Sequence, residues 1–144
     1  GCGGELGHLY VGGDAVCGCG AVGCLEAWAS TTGLIRIAKS RGHDLRDGAM
    51  LWDLCEAGED WALTLANEAG RALGRGLGSI SNAVNPEVAI VSGGLSLGQR
   101  FLEPSLMAAL NFHTIPPARG ALQLEWGGRA EDFSLVGIAD LARS

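Results

Sequence analysis

Near its start the chain sets one histidine and three cysteines, His8, Cys17, Cys19 and Cys24, spaced nine, two and five residues apart. One imidazole and three thiolates complete the soft tetrahedral ligand set that zinc takes, with no position left open for water. A metal held this way is expected to be structural, because a catalytic zinc keeps a site for a reacting molecule. Cys17 and Cys19 can reach one ion only if the backbone folds sharply between them, and Gly18, Gly20 and Gly23 are read as supplying that freedom. Free cysteines in a loop, or a local disulfide, are the plain alternatives. Under the metal reading this segment must double back on itself, and that constrains the fold more than any other stretch.

Two carboxylates, Glu5 and Glu26, bracket the ligands. Carboxylates bind hydroxyl-rich ligands through charge-assisted hydrogen bonds, often two per group. Most glutamates are simply solvated, and spacing alone leaves both readings open.

The 144 residues suit one domain with a sizeable core. Ten basic against sixteen acidic side chains give a formal charge of −6, with no lysine or arginine cluster, so this segment is not expected to bind nucleic acid. No apolar run reaches the length of a membrane span. Of five cysteines, four crowd the N-terminal end, where a secreted scaffold would spread pairs along the chain. The crowding points to a reducing compartment, and cytoplasm is the expected location. The start at Gly1, without Met or a charged leader, is read as the cut edge of something longer.

Along the chain, residues 8–12 read as a short strand entering the cysteine loop. Helix formers follow from Leu25, with Trp28, Ala29, Leu34, Ile35 and Ile37 on the apolar side. Ser40 to Asp47 is a loop, and Met50 to Cys55 a short helix that buries Cys55 as an inert thiol. The longest helical pattern runs from Glu59 to about Ala83. Its Gly70, Gly74, Gly76 and Gly78 cost roughly 1 kcal/mol each relative to Ala, which is tolerable where another backbone approaches closely. Asn85-Pro86 breaks this helix, and Glu87 to Val91 reads as a buried strand. Ser92-Gly93-Gly94 then turns at a C-terminal strand end, the place where open α/β sheets receive ligands; an ordinary turn is an equal alternative. A helix is expected to restart near Pro104. Leu122, Leu124 and Trp126 mark a half-buried strand, and Asp132 caps a last helix carrying Phe133, Val136 and Leu141. His43 and His113 lie in polar loop contexts and read as solvated. Helices alternating with strands define the α/β class.

Four stretches now stand in order: Glu5-Leu-Gly-His8, the Cys17-to-Glu26 run, Asn85-Pro-Glu-Val-Ala-Ile-Val-Ser-Gly-Gly94 and Leu135-Val-Gly-Ile-Ala139. Together they resemble the ROK family (repressors, open reading frames and sugar kinases), most closely its bacterial glucokinases, over nearly the whole chain. The resemblance implies the C-terminal part, residues 1–144, of an actin-like, ribonuclease-H-like fold whose N-terminal domain is missing, with a zinc loop at 8–26 and a nucleotide-proximal strand and turn at 87–94. It implies a structural zinc on His8, Cys17, Cys19 and Cys24, with Glu5, His8 and Glu26 on the sugar hydroxyls. Gly93 and Gly94 would lie beside the adenosine. The reaction implied is transfer of the γ-phosphoryl group of ATP-Mg to the 6-hydroxyl of a hexose, glucose above others, by a homodimer.

By the same resemblance the catalytic aspartate, in an Asn-Asp-x-Asn stretch, and the phosphate-binding turns precede Gly1. No catalytic residue is assigned within these residues, and this polypeptide alone is expected not to phosphorylate sugar. Its sheet would lack strands and expose apolar surface. The stretch from His8 to Cys17 is one residue shorter than usual, and Ala21-Val22 replaces a commonly polar pair. Neither change removes a ligand, though both touch the rim of the sugar site. The sugar-sensing portion of a ROK transcriptional repressor is the alternative function, and a DNA-binding helix-turn-helix upstream would distinguish it.

Overall fold

A computed structural model describes residues 4–127. The last helix expected around Asp132 and the closing Leu135–Ala139 stretch lie outside the described residues.

Helix formation follows the sequence closely where capping and periodicity agree. Four helices come first: α1 (Leu25–Trp28), α2 (Thr31–Ser40), α3 (Gly48–Glu56) and α4 (Asp60–Val84). Ser30 caps α2 by accepting from the Gly33 amide at 3.0 Å, and Asp47 caps α3 by accepting from Met50 at 2.8 Å. The helix expected to run on from Leu25 is therefore two, because Ser30 takes an extended conformation and begins a second one. Asn85 ends α4 at φ 47°, a left-handed cap that asparagine tolerates, and Pro86 prevents continuation.

After α4 come β1 (Val88–Val91), a 3-10 segment at Gly93–Gly98, α5 (Gln99–His113), α6 (Pro116–Ala121) and β2 (Gln123–Trp126). The two strands are parallel, with Val88 opposite Gln123 and Val91 opposite Trp126. A parallel pair needs a crossover, and α5 and α6 supply it. β2 alternates as expected, Leu124 and Trp126 turned inward. β1 departs from expectation: Val91 is buried, yet Val88 and Ile90 stay 44% and 47% exposed, so one face of the strand is left uncovered among the described residues. α5 also departs, starting five residues before Pro104. The 3-10 segment feeds directly into it, so the proline sits inside the helix and the Arg100 carbonyl loses its usual partner.

The core lies between α4 and the elements around it. Leu65, Ala66, Ala69 and Leu73 of α4 meet Leu102, Leu106 and Leu110 of α5, all buried. The α4 glycines explain how the helices come so close. A side chain on Gly70 would strike the Leu102 carbonyl, and one on Gly74 the Leu106 carbonyl and Leu110 amide. Gly78 faces the end of α5 at His113, while Gly76 faces the Leu25 side chain of α1. The helix-propensity cost of these glycines is thus exchanged for close approach to the α5 backbone on one side and to the Leu25 side chain on the other.

Candidate metal and sugar site

The segment expected as a strand at 8–12 is built differently. Leu6–His8 form a 3-10 turn, and Tyr10 makes only an isolated antiparallel bridge to Cys24. A second isolated bridge joins Val16 to Val22. Between them Val11 donates to the Gly23 carbonyl at 2.8 Å, Gly23 to the Ala15 carbonyl at 2.9 Å, and Cys17 to the Ala21 carbonyl at 2.8 Å. No ladder forms because the loop turns too often. Gly12, Gly13, Gly20 and Gly23 all take positive φ, whereas Gly18 does not. At Gly23 a side chain would also collide with the Tyr10 ring.

This folding gathers the predicted ligands. One donor atom each from His8, Cys17, Cys19 and Cys24 lies within 4.8 Å of the others, so the cluster could hold a metal ion. Tetrahedral coordination at about 2.3 Å places sulfurs about 3.8 Å apart. Cys19 and Cys24 Sγ stand 3.8 Å apart, as do Cys17 Sγ and His8 Nδ1. The widest spacing needs a contraction of about 1 Å, within reach of a glycine-rich loop. All three thiols are free, so the disulfide alternative is not what the structure shows.

The thiols perturb one another as a charge-hungry set would. Cys19 is held below the ordinary thiol range, first by the Ala21 backbone amide and then by the Cys17 thiol. Cys24 is pushed up to about 11, first by burial and then by hydrogen bonding with Cys19 and Cys17. Three thiols crowded together cannot share negative charge cheaply, and a divalent cation would remove that conflict.

Glu26 joins the cluster from the first turn of α1. Its Oε2 lies 3.6 Å from His8 Nδ1, and the Cys17 thiol donates to it at 4.0 Å. The 3-10 turn docks on this carboxylate: a Cβ on Gly7 would lie 3.3 Å from the Glu26 Cβ. The His8 and Glu26 side chains remain 40% and 48% exposed, available to a ligand from the open side. Glu5 is exposed at the head of the same turn, where its carbonyl accepts from the His8 amide at 3.1 Å.

Gly93 and Gly94 occupy the turn after β1, remote in sequence from the cysteine loop. Gly93 takes φ 74°, and its carbonyl accepts from Ser96 Oγ at 2.7 Å. The Gly94 carbonyl accepts from the Trp52 indole at 2.9 Å. Of the remaining residues singled out, Cys55 is buried, its thiol pushed up to about 11 by burial and then by the charge of Glu56. His113 is exposed as expected, though it ends α5 and does not lie in a loop. His43 is not simply solvated: its ring stacks on Trp61 with centroids 4.2 Å apart.

Sequence reasoning missed the supports of the loop. Arg75 of α4 donates to the Val11 carbonyl at 2.9 Å, and Trp28 of α1 to the Gly12 carbonyl at 3.2 Å. Adjacent carbonyls between His8 and Cys17 are thereby clamped from two helices. No local pattern announces a contact across 64 positions.

Parallel strands with helices packed around them, together with a His–Cys cluster and its adjoining carboxylate, define an α/β protein with a candidate metal loop beside exposed polar side chains. The chain belongs to the ROK family, whose match extends over residues 1–144. Among solved structures it resembles the ROK hexokinase of Thermus thermophilus, at 36% identity and TM-score 0.74, over 88% of this chain and 44% of that one. It also resembles a ROK family glucokinase of Streptomyces griseus solved with glucose and AMPPNP, at 25% identity and TM-score 0.67, over 85% and 45% of the two chains. A ROK family transcriptional regulator, homologous to the E. coli MLC protein, shares the fold at TM-score 0.73 and 23% identity, over 85% and 34%. The chain spans 36–50% of the length of the curated glucokinases it matches. Among the described residues, no helix is long and apolar enough to cross a membrane.

Proposed function

We propose that these residues form part of an ATP-dependent hexose kinase, glucokinase-like, that transfers the γ-phosphoryl group of ATP-Mg to the 6-hydroxyl of glucose. The observation that carries this reading is the meeting of Glu26 with His8 beside the three thiols, 3.6 Å from carboxylate to imidazole. His8, Cys17, Cys19 and Cys24 would hold a structural zinc, whose chemistry is to fix the loop and orient the imidazole. Glu26, Glu5 and the free side of His8 would accept and donate hydrogen bonds to sugar hydroxyls. Gly93 and Gly94 would border the nucleotide. Residues 1–144 would be the C-terminal portion of the kinase, acting in a homodimer, with the catalytic base contributed from outside these residues. The likeness to a hexokinase and to a glucokinase that binds glucose and AMPPNP supports the choice of hexose and nucleotide.

The test is Glu26→Ala in the intact parent protein. Glucose affinity should fall at least about tenfold, as expected when a charge-assisted pair of hydrogen bonds is lost, with metal content unchanged. Unchanged glucose affinity removes Glu26 from the site. Sugar-dependent DNA binding without phosphotransfer would make the same residues an inducer site of a regulator.

A further inference from the structure

The two glycine carbonyls after β1 are both occupied, but by different kinds of donor. Gly93 is satisfied locally by Ser96 Oγ, inside the turn itself. Gly94 is satisfied by the indole N–H of Trp52, 42 residues away on α3. That tryptophan is 6% exposed, and its ring lies directly under Gly98 at the other end of the same segment, where a Cβ would come within 2.5 Å of ring carbons. Trp52 therefore touches the segment twice, by a hydrogen bond at its start and by ring contact at its end. The Thr31 hydroxyl, on the first residue of α2, lies 3.0 Å from where a Gly94 Cβ would be. Thr31 also packs on Gly48, the first residue of α3. Gly93–Gly98 thus rests against Trp52 in the middle of α3 and Thr31 at the start of α2, two helices each fixed by its own cap, Asp47 and Ser30.

We infer that Trp52 is a positioning residue for the nucleotide, setting the orientation of the Gly94 peptide and the place of the Gly93–Gly98 segment without touching the ligand. This rests on the reading that Gly93 and Gly94 border the nucleotide. A peptide whose carbonyl is held inward has its plane fixed, because rotation would break the bond to the indole and leave a buried N–H unsatisfied. Glycine at 94 cannot hold that orientation by its own side chain, so the restraint must come from elsewhere. The Trp52 indole is the donor the structure gives it.

The experiment is Trp52→Phe in the intact parent, which keeps an aromatic ring under Gly98 and removes only the donor. KM for ATP should rise about three- to tenfold while KM for glucose stays within error, and Trp52→Leu should do no better than Phe. A purely structural role would lower stability and shift both KM values together, and that result overturns the inference. Because the variant could fold poorly, wild-type protein carrying 5-fluorotryptophan gives a second readout. The Trp52 resonance, assigned by replacing the parent's other tryptophans singly, Trp28, Trp61 and Trp126 among them, should move on adding AMPPNP and not on adding glucose. An unmoved resonance with nucleotide bound overturns the inference alone. Wild-type protein that binds no nucleotide overturns the kinase reading with it.

Discussion

Gly33 offers the sharpest test of how the carboxylate site is held. It is the third residue of α2, with its amide on Ser30 Oγ, and it is buried against the preceding helix. A Cβ there would overlap the Ala27 carbonyl and lie 2.9 Å from the Glu26 carbonyl oxygen. Two effects compete in Gly33→Ala. Helix propensity favours alanine by at most about 1 kcal/mol. Overpacking against fixed atoms typically costs about 1–3 kcal/mol, and the atoms here are backbone oxygens that cannot rotate away. The clash should win, for a net loss of roughly 1–2 kcal/mol, or a fall in Tm of roughly 3–10 °C. The Glu26 carbonyl borders the same contact, so under the proposed role of Glu26 in sugar binding glucose affinity should weaken as well. Gly120→Ala is the matched control. That glycine is also helical, in α6, but a Cβ there would meet nothing within 4 Å, so the change should be neutral or stabilising by up to about 1 kcal/mol. Thermal and urea unfolding of the two variants decide the matter. Gly33→Ala as stable as wild type would refute the contact argument.

Other consequences follow from the cluster and the core. Cys19→Ser should abolish stoichiometric zinc, measured by atomic absorption, and lower Tm; retained metal at unchanged Tm would dissolve the structural-zinc proposal. Cys55 gives a pH signature: with its thiol raised from 9.0 to about 11 by burial, its contribution to stability is complete below pH 9 and lost as pH rises through 11. Unfolding by denaturant between pH 8 and 11 should show that loss, and Cys55→Ala should flatten it. Arg75→Ala, which frees the Val11 carbonyl, should weaken metal retention against a chelator while leaving α4 helical by circular dichroism.

Much of the site could be read from the chain because its parts are close together in sequence. His8, Cys17, Cys19, Cys24 and Glu26 fall within one short segment, and a metal's ligand demand is specific enough to name four of them from residue type and spacing. The boundaries of α4 followed from its long periodicity, the left-handed Asn85 and the proline beside it. Errors came where the signal was weak or borrowed. Residues 8–12 carry strand-like residues, yet a strand needs a partner along its length, and the turns of the loop allow only single bridges. Pro104 reads as a helix start because proline favours that position, but the 3-10 segment at Gly93–Gly98 leads straight into α5 five residues earlier.

Sequence alone therefore determined which His and Cys residues cluster as a candidate ligand set, the α/β class and the extents of the longest elements, all products of local chemistry and periodicity. Tertiary structure decided which carboxylate meets the histidine, which faces of β1 are covered, and what steadies each loop. Glu26 reaches His8 only because α1 packs under the 3-10 turn, and the Val11 and Gly94 carbonyls are held by donors 64 and 42 residues away. A hydrogen bond depends on distance in space, and no periodicity along the chain encodes a contact that only folding brings within 3 Å.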